Sequence, residues 1–438
     1  MKRLLPVFFL LPLVVLISCG CNPTHEVQDD ETGTETPQFN SEYDSYTAVP
    51  VNSSVTDVQP MTGIVPWSDS RYKKDWVTLE FSYMLYNDVC KEKDVFDWTP
   101  MENLLKDISS RGHQAVVRFR YTYVGKSCAV PDYIKALDDY EALTAKAEGR
   151  NTEYPDWRCE ELQRFHMEFH KRFAEKYDND PRLAFLETGF GHWAEYHVYD
   201  GKFIAGRTFP SKEFQSQFLS SMDGWFKNTP WMISIDAADG KYSPFESEPE
   251  LLNSKFGNFD DSFMCEDHDG YNMESWEFFG TERYKTAPFG GEFSYYSDYD
   301  QRHCLDKEGM YGRTFESEAA KFHMTFIIGA DQPGYQSAAR LKEAGMATGY
   351  RFQVNDFRIK EGVGAVVNIS NVGVAPIYRD AYVAVDGKRG SYSLRNLMPG
   401  EKAWVKINLP EVSAKSTITI ECDHLVSGQK IQFQADVK

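Results

Sequence analysis

From residue 60 to about residue 350, near-continuous apolar runs of strand length alternate with amphipathic stretches of helix length, and nothing else in the sequence restricts the fold so strongly. Eight runs read as strands: Gly63–Pro66, Trp76–Tyr86, Gln114–Tyr123, Leu183–Phe190, Trp231–Asp236, Asp260–Cys265, Pro288–Ser294 and His323–Gly329. Strands apolar on both faces belong in a sheet covered on both sides. Among the stretches between them, Cys159–Tyr177 is the clearest helix, with Leu162, Phe165, Phe169 and Phe173 at three- and four-residue spacings. The alternation predicts an α/β fold, and eight strands predict a (β/α)8 TIM-like barrel over residues 59–350. One irregularity is visible. Only about ten residues separate the first two strands, too few for a crossover helix.

The ends of the chain have a different character. Beyond Arg351, short alternating runs such as Ala365–Ile369, Ala381–Val385 and Ala403–Ile407, broken by Asp386-Gly387 and Pro399-Gly400, predict a small all-β Ig-like sandwich over 351–438. At the other end Lys2 and Arg3 precede an apolar stretch, Leu4–Ile17, too short to span a bilayer, so residues 1–18 read as a signal peptide. Leu16-Ile17-Ser18-Cys19 resembles the lipobox of bacterial lipoproteins, which makes Cys19 the expected lipidation site; Cys21 fits that pattern less well. Residues 19–58, with the acidic run Glu26–Thr36, read as a flexible linker. The expectation is an exported chain, lipid-anchored to the outer membrane or cell surface of a Gram-negative bacterium and acting as a monomer. Its only membrane partner would be that anchor.

With 66 acidic and 47 basic residues the net charge is −19, which leaves no electrostatic footprint for nucleic acid. Six cysteines beyond Cys21 are widely spaced without a CxxC pair, a pattern of buried or incidentally paired thiols rather than a zinc or redox site. No Walker A or GxGxxG motif follows a strand, so no cofactor is expected.

In such a barrel the chemistry gathers at the carboxyl ends of the strands. After the fourth predicted strand comes Gly191-His192-Trp193-Ala194-Glu195-Tyr196-His197, and the seventh carries Gly290-Gly291-Glu292-Phe293. Glu195 and Glu292 are the candidate catalytic pair, since glycosidic hydrolysis needs one protonated carboxyl and one ionised one. Aromatic neighbours would raise the pKa of one of them by desolvation. The candidate substrate-binding residues are Arg118, Arg120, Trp193, His197, Tyr295 and Trp276: rings suit pyranose faces, and one of the two arginines could turn inward to orient a carboxylate or hydroxyl. His166 and His170, four apart on the strongest helix, have zinc spacing but read as a solvated face. The run Asp260-Asp261…Glu266-Asp267-His268-Asp269 reads as a polar loop without EF-hand spacing. No metal site is expected.

The lead-in Pro60–Trp67, Leu79–Tyr83, Val117–Arg120, the motifs around Glu195 and Glu292, and Asn371–Pro376 together resemble a family of exported barrel lipoproteins, domain of unknown function 4832. Through it the chain resembles clan-A retaining glycoside hydrolases, and in plan the endo-β-1,3-glucanases of glycoside hydrolase family 158. That resemblance implies a retaining hydrolase of a β-linked polysaccharide or oligosaccharide, a β-glucan cut internally, with Glu195 as acid/base and Glu292 as nucleophile. It departs at Ala194, where the clan commonly has Asn. The alternative reading is a non-catalytic surface glycan-binding lipoprotein.

Overall fold

A computed structural model describes residues 35–438, so the leader, Cys19 and the first part of the predicted linker lie outside the described residues. Eight parallel strands form a nearly closed barrel: β1 (Gly63–Val65), β2 (Leu79–Leu85), β3 (Gln114–Arg120), β4 (Leu183–Thr188), β5 (Trp231–Ser234), β6 (Gly257–Phe263), β7 (Phe289–Phe293) and β8 (Phe326–Ile328). They lie side by side in sequence order, and β8 pairs with β1 through Phe326↔Gly63, Ile327↔Ile64 and Ile328↔Val65. The seam falls where the short connection predicts it. Between β1 and β2 there is only a 3-10 turn, Ser68–Ser70, and the two strands meet through Phe81 N–H donating to Pro66 O at 2.9 Å and the Trp67↔Phe81 bridge.

The period-two alternation of strands builds the barrel interior in layers. The lower layer is apolar, with Phe81, Val116, Phe185, Phe259 and Phe326 in one core and Phe185 stacked on Phe326 at 4.8 Å. Two residues further along four of those strands come Tyr83, Arg118, Glu187 and Asp261, so the layer above is polar; Tyr83, Arg118 and Glu187 are in lateral register. The opposite faces, including Ala115, Val117, Phe119 and Leu186, pack outward against helix Glu160–Tyr177 and its neighbours. His166 and His170 belong to that packing. They are buried rather than on a solvated face: His166 Nδ1 meets the Tyr121 hydroxyl at 3.0 Å, and His170 packs against Phe218 at 4.8 Å. Burial holds His170 down at about 4, so both rings act as neutral core groups.

The all-β part closes the amino-terminal end of the barrel. Its larger sheet has Phe352–Lys360 between Gly364–Asn371 and Phe433–Val437, and its smaller one comprises Lys388–Ser393, Ala381–Val385 and Ile418–Cys422. Sandwich residues such as Phe352, Val367 and Val405 share one core with the lower barrel layer. Buried Arg379 reaches across, its Nη2 donating to Leu183 O at 2.9 Å and Thr229 Oγ1 at 3.1 Å.

The linker expectation for residues 19–58 is corrected over its described part. Val51–Ser53 adds an antiparallel edge to Phe433–Val437, and Thr47–Ala48 pairs with Phe352–Lys360. Tyr43, Tyr46 and Val49 are buried, Tyr43 lying 5.9 Å from the Trp404 ring. Three apolar side chains in a polar background are enough when the backbone finds an open strand edge, and composition does not reveal that edge. Cys90, Cys128, Cys159, Cys265 and Cys304 are buried free thiols, and Cys422 is partly exposed.

Candidate active site

The carboxyl ends of the strands surround a cleft of about 870 Å³ lined by both Glu195 and Glu292. That is ample for one or more sugar rings. Glu195 is delivered by a tight fold-back of residues 189–197. Gly191 N–H donates to Glu195 O at 2.7 Å, His192 N–H to His197 O at 3.1 Å, and Trp193 and Ala194 take left-handed φ of 54° and 61°. Only glycine suits positions 189 and 191: a Cβ there would sit 2.2 Å from Ala194 O and 2.1 Å from His197 O. Glu292 is placed by β7 itself, opposite Ile328 of β8.

The two carboxyls live in different surroundings. Glu195 Oε2 meets His197 Nε2 at 2.6 Å, and its Oε1 is 3.5 Å from Arg118 Nη1. Burial alone would lower His197, but Asp236 and the hydrogen bond to Glu195 outweigh it and hold the imidazole above its ordinary value. Glu292 has no hydrogen-bond or ion-pair partner among the described residues. Burial pushes it up to about 8; Arg118 opposes this, while Glu195 and Glu187 add to it.

Arg118 is the charge centre beneath the cleft. It is fully buried, with Nε donating to Glu187 Oε2 at 2.8 Å and Nη2 to Asp261 Oδ1 at 2.9 Å, and its guanidinium lies 4.2 Å over the Phe259 ring. One positive charge thus faces Glu187, Asp261 and Glu195 at close range. Burial raises Glu187, and raises Asp261 well above the usual carboxylate range. Burial thus works against full ionisation of this cluster, in which one guanidinium is shared among several carboxyls.

Of the predicted binding residues, Trp193, His197 and Tyr295 line the cleft and Arg118 underlies it. Arg120 does not line it; two residues past the inward-facing Arg118, at the end of β3, it lies 4.5 Å over the Tyr123 ring. Trp276 is a correction. It sits on helix Met273–Phe279 and packs against Phe322 at 4.7 Å on the outside of the barrel, because the chain after β6 turns into a helix whose apolar face needs that cover. Composition did not single out the wall of rings Trp67–Tyr83–Tyr123–Trp193, with successive centroids 5.4, 6.1 and 6.3 Å apart, which runs along one side from β1 to the β4 loop.

Among the described residues, one set of three side chains offers metal-ligand atoms within 4.8 Å of one another: Glu195, His197 and Asp236. Those atoms are already engaged. Glu195 holds His197, and Asp236 Oδ1 accepts from Tyr199 at 2.6 Å and Tyr271 at 3.1 Å, so an ion would have to displace this network.

The proton on Glu292 has a measurable consequence for stability. A folded-state pKa raised from 4.5 to about 8 means that the native chain binds this proton more tightly than the unfolded one. The contribution is fully present below about pH 4.5 and is lost as pH rises through about 8. Glu292→Gln mimics the protonated acid, so the variant should match the wild type in urea denaturation at pH 5 and exceed it by roughly 2–4 kcal/mol at pH 9. Equal stability at both pH values would mean that Glu292 ionises normally.

No family model and no curated protein matches the chain, so the resemblance to domain of unknown function 4832 and to glycoside hydrolase family 158 has no support beyond its short motifs. Solved structures overlap it loosely. The catalytic domain of a β-amylase from Paenibacillus polymyxa gives a TM-score of 0.39 at 10% identity, covering 68% of this chain and 100% of that one. A GH5-4 broad-specificity endoglucanase from an uncultured bacterium gives 0.38 at 10%, covering 70% and 96%. The galactosidase domain of an α-galactosidase–sucrose kinase gives 0.37 at 10%, covering 80% of this chain and 54% of that one, so the chain spans about half its length. Overlap this loose transfers no activity, and the barrel stands on its own strand pairing: the chain is similar to these proteins only in outline.

Proposed function

We propose that the cleft hydrolyses glycosidic bonds of a β-linked oligosaccharide or polysaccharide with retention, using Glu195 and Glu292 as its two carboxyls. The observation that supports this most is the pairing of one partnered and one unpartnered carboxyl at the ends of β4 and β7, above one cleft walled by aromatic rings. Their surroundings favour roles opposite to those that the sequence resemblance implies. Glu292, desolvated and without a partner, holds its proton and is the acid; Glu195, hydrogen-bonded to His197 and beside Arg118, is the group that attacks the anomeric carbon. Protonation of the leaving oxygen by Glu292 breaks the glycosidic bond while Glu195 forms a glycosyl ester. Glu292, now ionised, takes a proton from water, whose oxygen then displaces Glu195.

The test is incubation with laminarin, galactan, mannan, xylan and host glycans, following released reducing ends and the anomer formed first. Release of a sugar with retained configuration is the expected result. Inversion would remove the covalent step, and binding without any release across the panel would leave a glycan-binding protein.

A further inference from the structure

The charge of the cleft is one-sided. Nine of its lining residues are Asp or Glu, and none is Lys or Arg. Arg118 lies beneath the floor and is shared among Glu187, Asp261 and Glu195, and Asp261 Oδ2 is sealed from solvent without a hydrogen-bond partner. At the rim stand Asp69, Glu148, Asp200 and Asp331, all exposed. Of these only Glu148 has an ion-pair partner among the described residues, Arg150 at 2.6 Å. Carboxylates gathered in a concave, partly desolvated site focus a negative potential that solvent screens poorly.

We infer that this cleft ranks glycans by charge, taking amine-bearing sugars best, neutral sugars next, and excluding those carrying uronate, sulfate or sialate groups. The inference rests on the reading of the cleft as a glycan site and adds the substrate class. A protonated 2-amino group would supply the cation that the rim acids lack. An anionic sugar would face the rim acids with no free cation to pair with, since Arg118 is already committed and His197 is engaged by Glu195. Aromatic walls recognise a pyranose face whatever its substituents, so discrimination falls to the carboxylates.

The experiment uses length-matched β-linked oligomers of glucosamine, glucose and glucuronate. Binding is measured by calorimetry on Glu292→Gln and turnover on the wild type, at low and high salt. Expected is an order glucosamine above glucose above glucuronate, about tenfold per step at low salt and compressed at high salt. The Asp69→Asn/Asp331→Asn double variant should narrow the spread, with the largest changes on the glucosamine and glucuronate oligomers. Glucuronate bound as well as glucose, or glucosamine bound no better than glucose, would overturn the inference. The two readings fail separately: hydrolysis with no charge order removes only the substrate class, whereas ordered binding with no hydrolysis of any oligomer removes only the hydrolase.

Discussion

Replacing Glu292 by Gln should cut turnover of an unactivated glycan by about 10³–10⁴-fold while leaving its affinity within a few fold, and Glu195→Gln should do at least as much damage. Both side chains line one cleft: Glu292 has no hydrogen-bond partner among the described residues, and Glu195 sits on the fold-back loop after β4, held by His197 and Arg118. Their loss should therefore appear in kcat, separately from the pH-dependent stability gain expected of Glu292→Gln. Because the two act on one bond, the double variant should be scarcely worse than the worse single one. A double variant showing the product of the two single losses would mean that the residues work independently and do not form a pair.

The second large effect is expected at Arg118. Arg118→Met keeps much of the side chain's length but removes the guanidinium that lies over Phe81 and Phe259 and strands Glu187 and Asp261, both held by it within 2.9 Å. Removing one partner from a buried ionic cluster costs about 3–5 kcal/mol. The sign of its pH dependence follows from the carboxylates. Without the guanidinium they ionise less readily, so the deficit should be largest near pH 8 and shrink toward pH 5, where protons replace the missing cation. Urea midpoints of wild type and variant at the two pH values check this. A deficit independent of pH would point to lost packing alone.

The barrel strands were legible because strands covered on both faces are written as unbroken apolar runs, and even the helix-free β1–β2 connection showed in the spacing. The edge strands at 47–53 were not, since their contribution is backbone pairing onto a sheet made some three hundred residues later. At the site, Glu195 and Glu292 stood out through the glycines and rings that frame them. Asp261 did not, because the sixth strand, read as Asp260–Cys265, is Gly257–Phe263. A shift of three residues moves Asp260 and Asp261 from the base of the barrel to its mouth, and period-two alternation then turns Asp261 inward onto Arg118. Arg118 and Arg120 were equivalent in the sequence because they are two apart on one strand. Both share one face of β3, and only their height along the strand separates them: Arg118 is level with Tyr83 and Glu187, whereas Arg120 ends the strand against Tyr123.

The central claim, that Glu292 gives the proton and Glu195 the negative charge, is tested most directly by leaving-group dependence. Glu292→Gln and Glu195→Gln would each be assayed on a dinitrophenyl glycoside, whose departure needs no acid, and on the corresponding unactivated oligosaccharide. The account predicts that Glu292→Gln keeps the first step on the dinitrophenyl substrate to within about tenfold of wild type and loses about 10³-fold or more on the oligosaccharide, whereas Glu195→Gln loses both. The opposite pattern, with Glu195→Gln spared on the activated substrate, would contradict it.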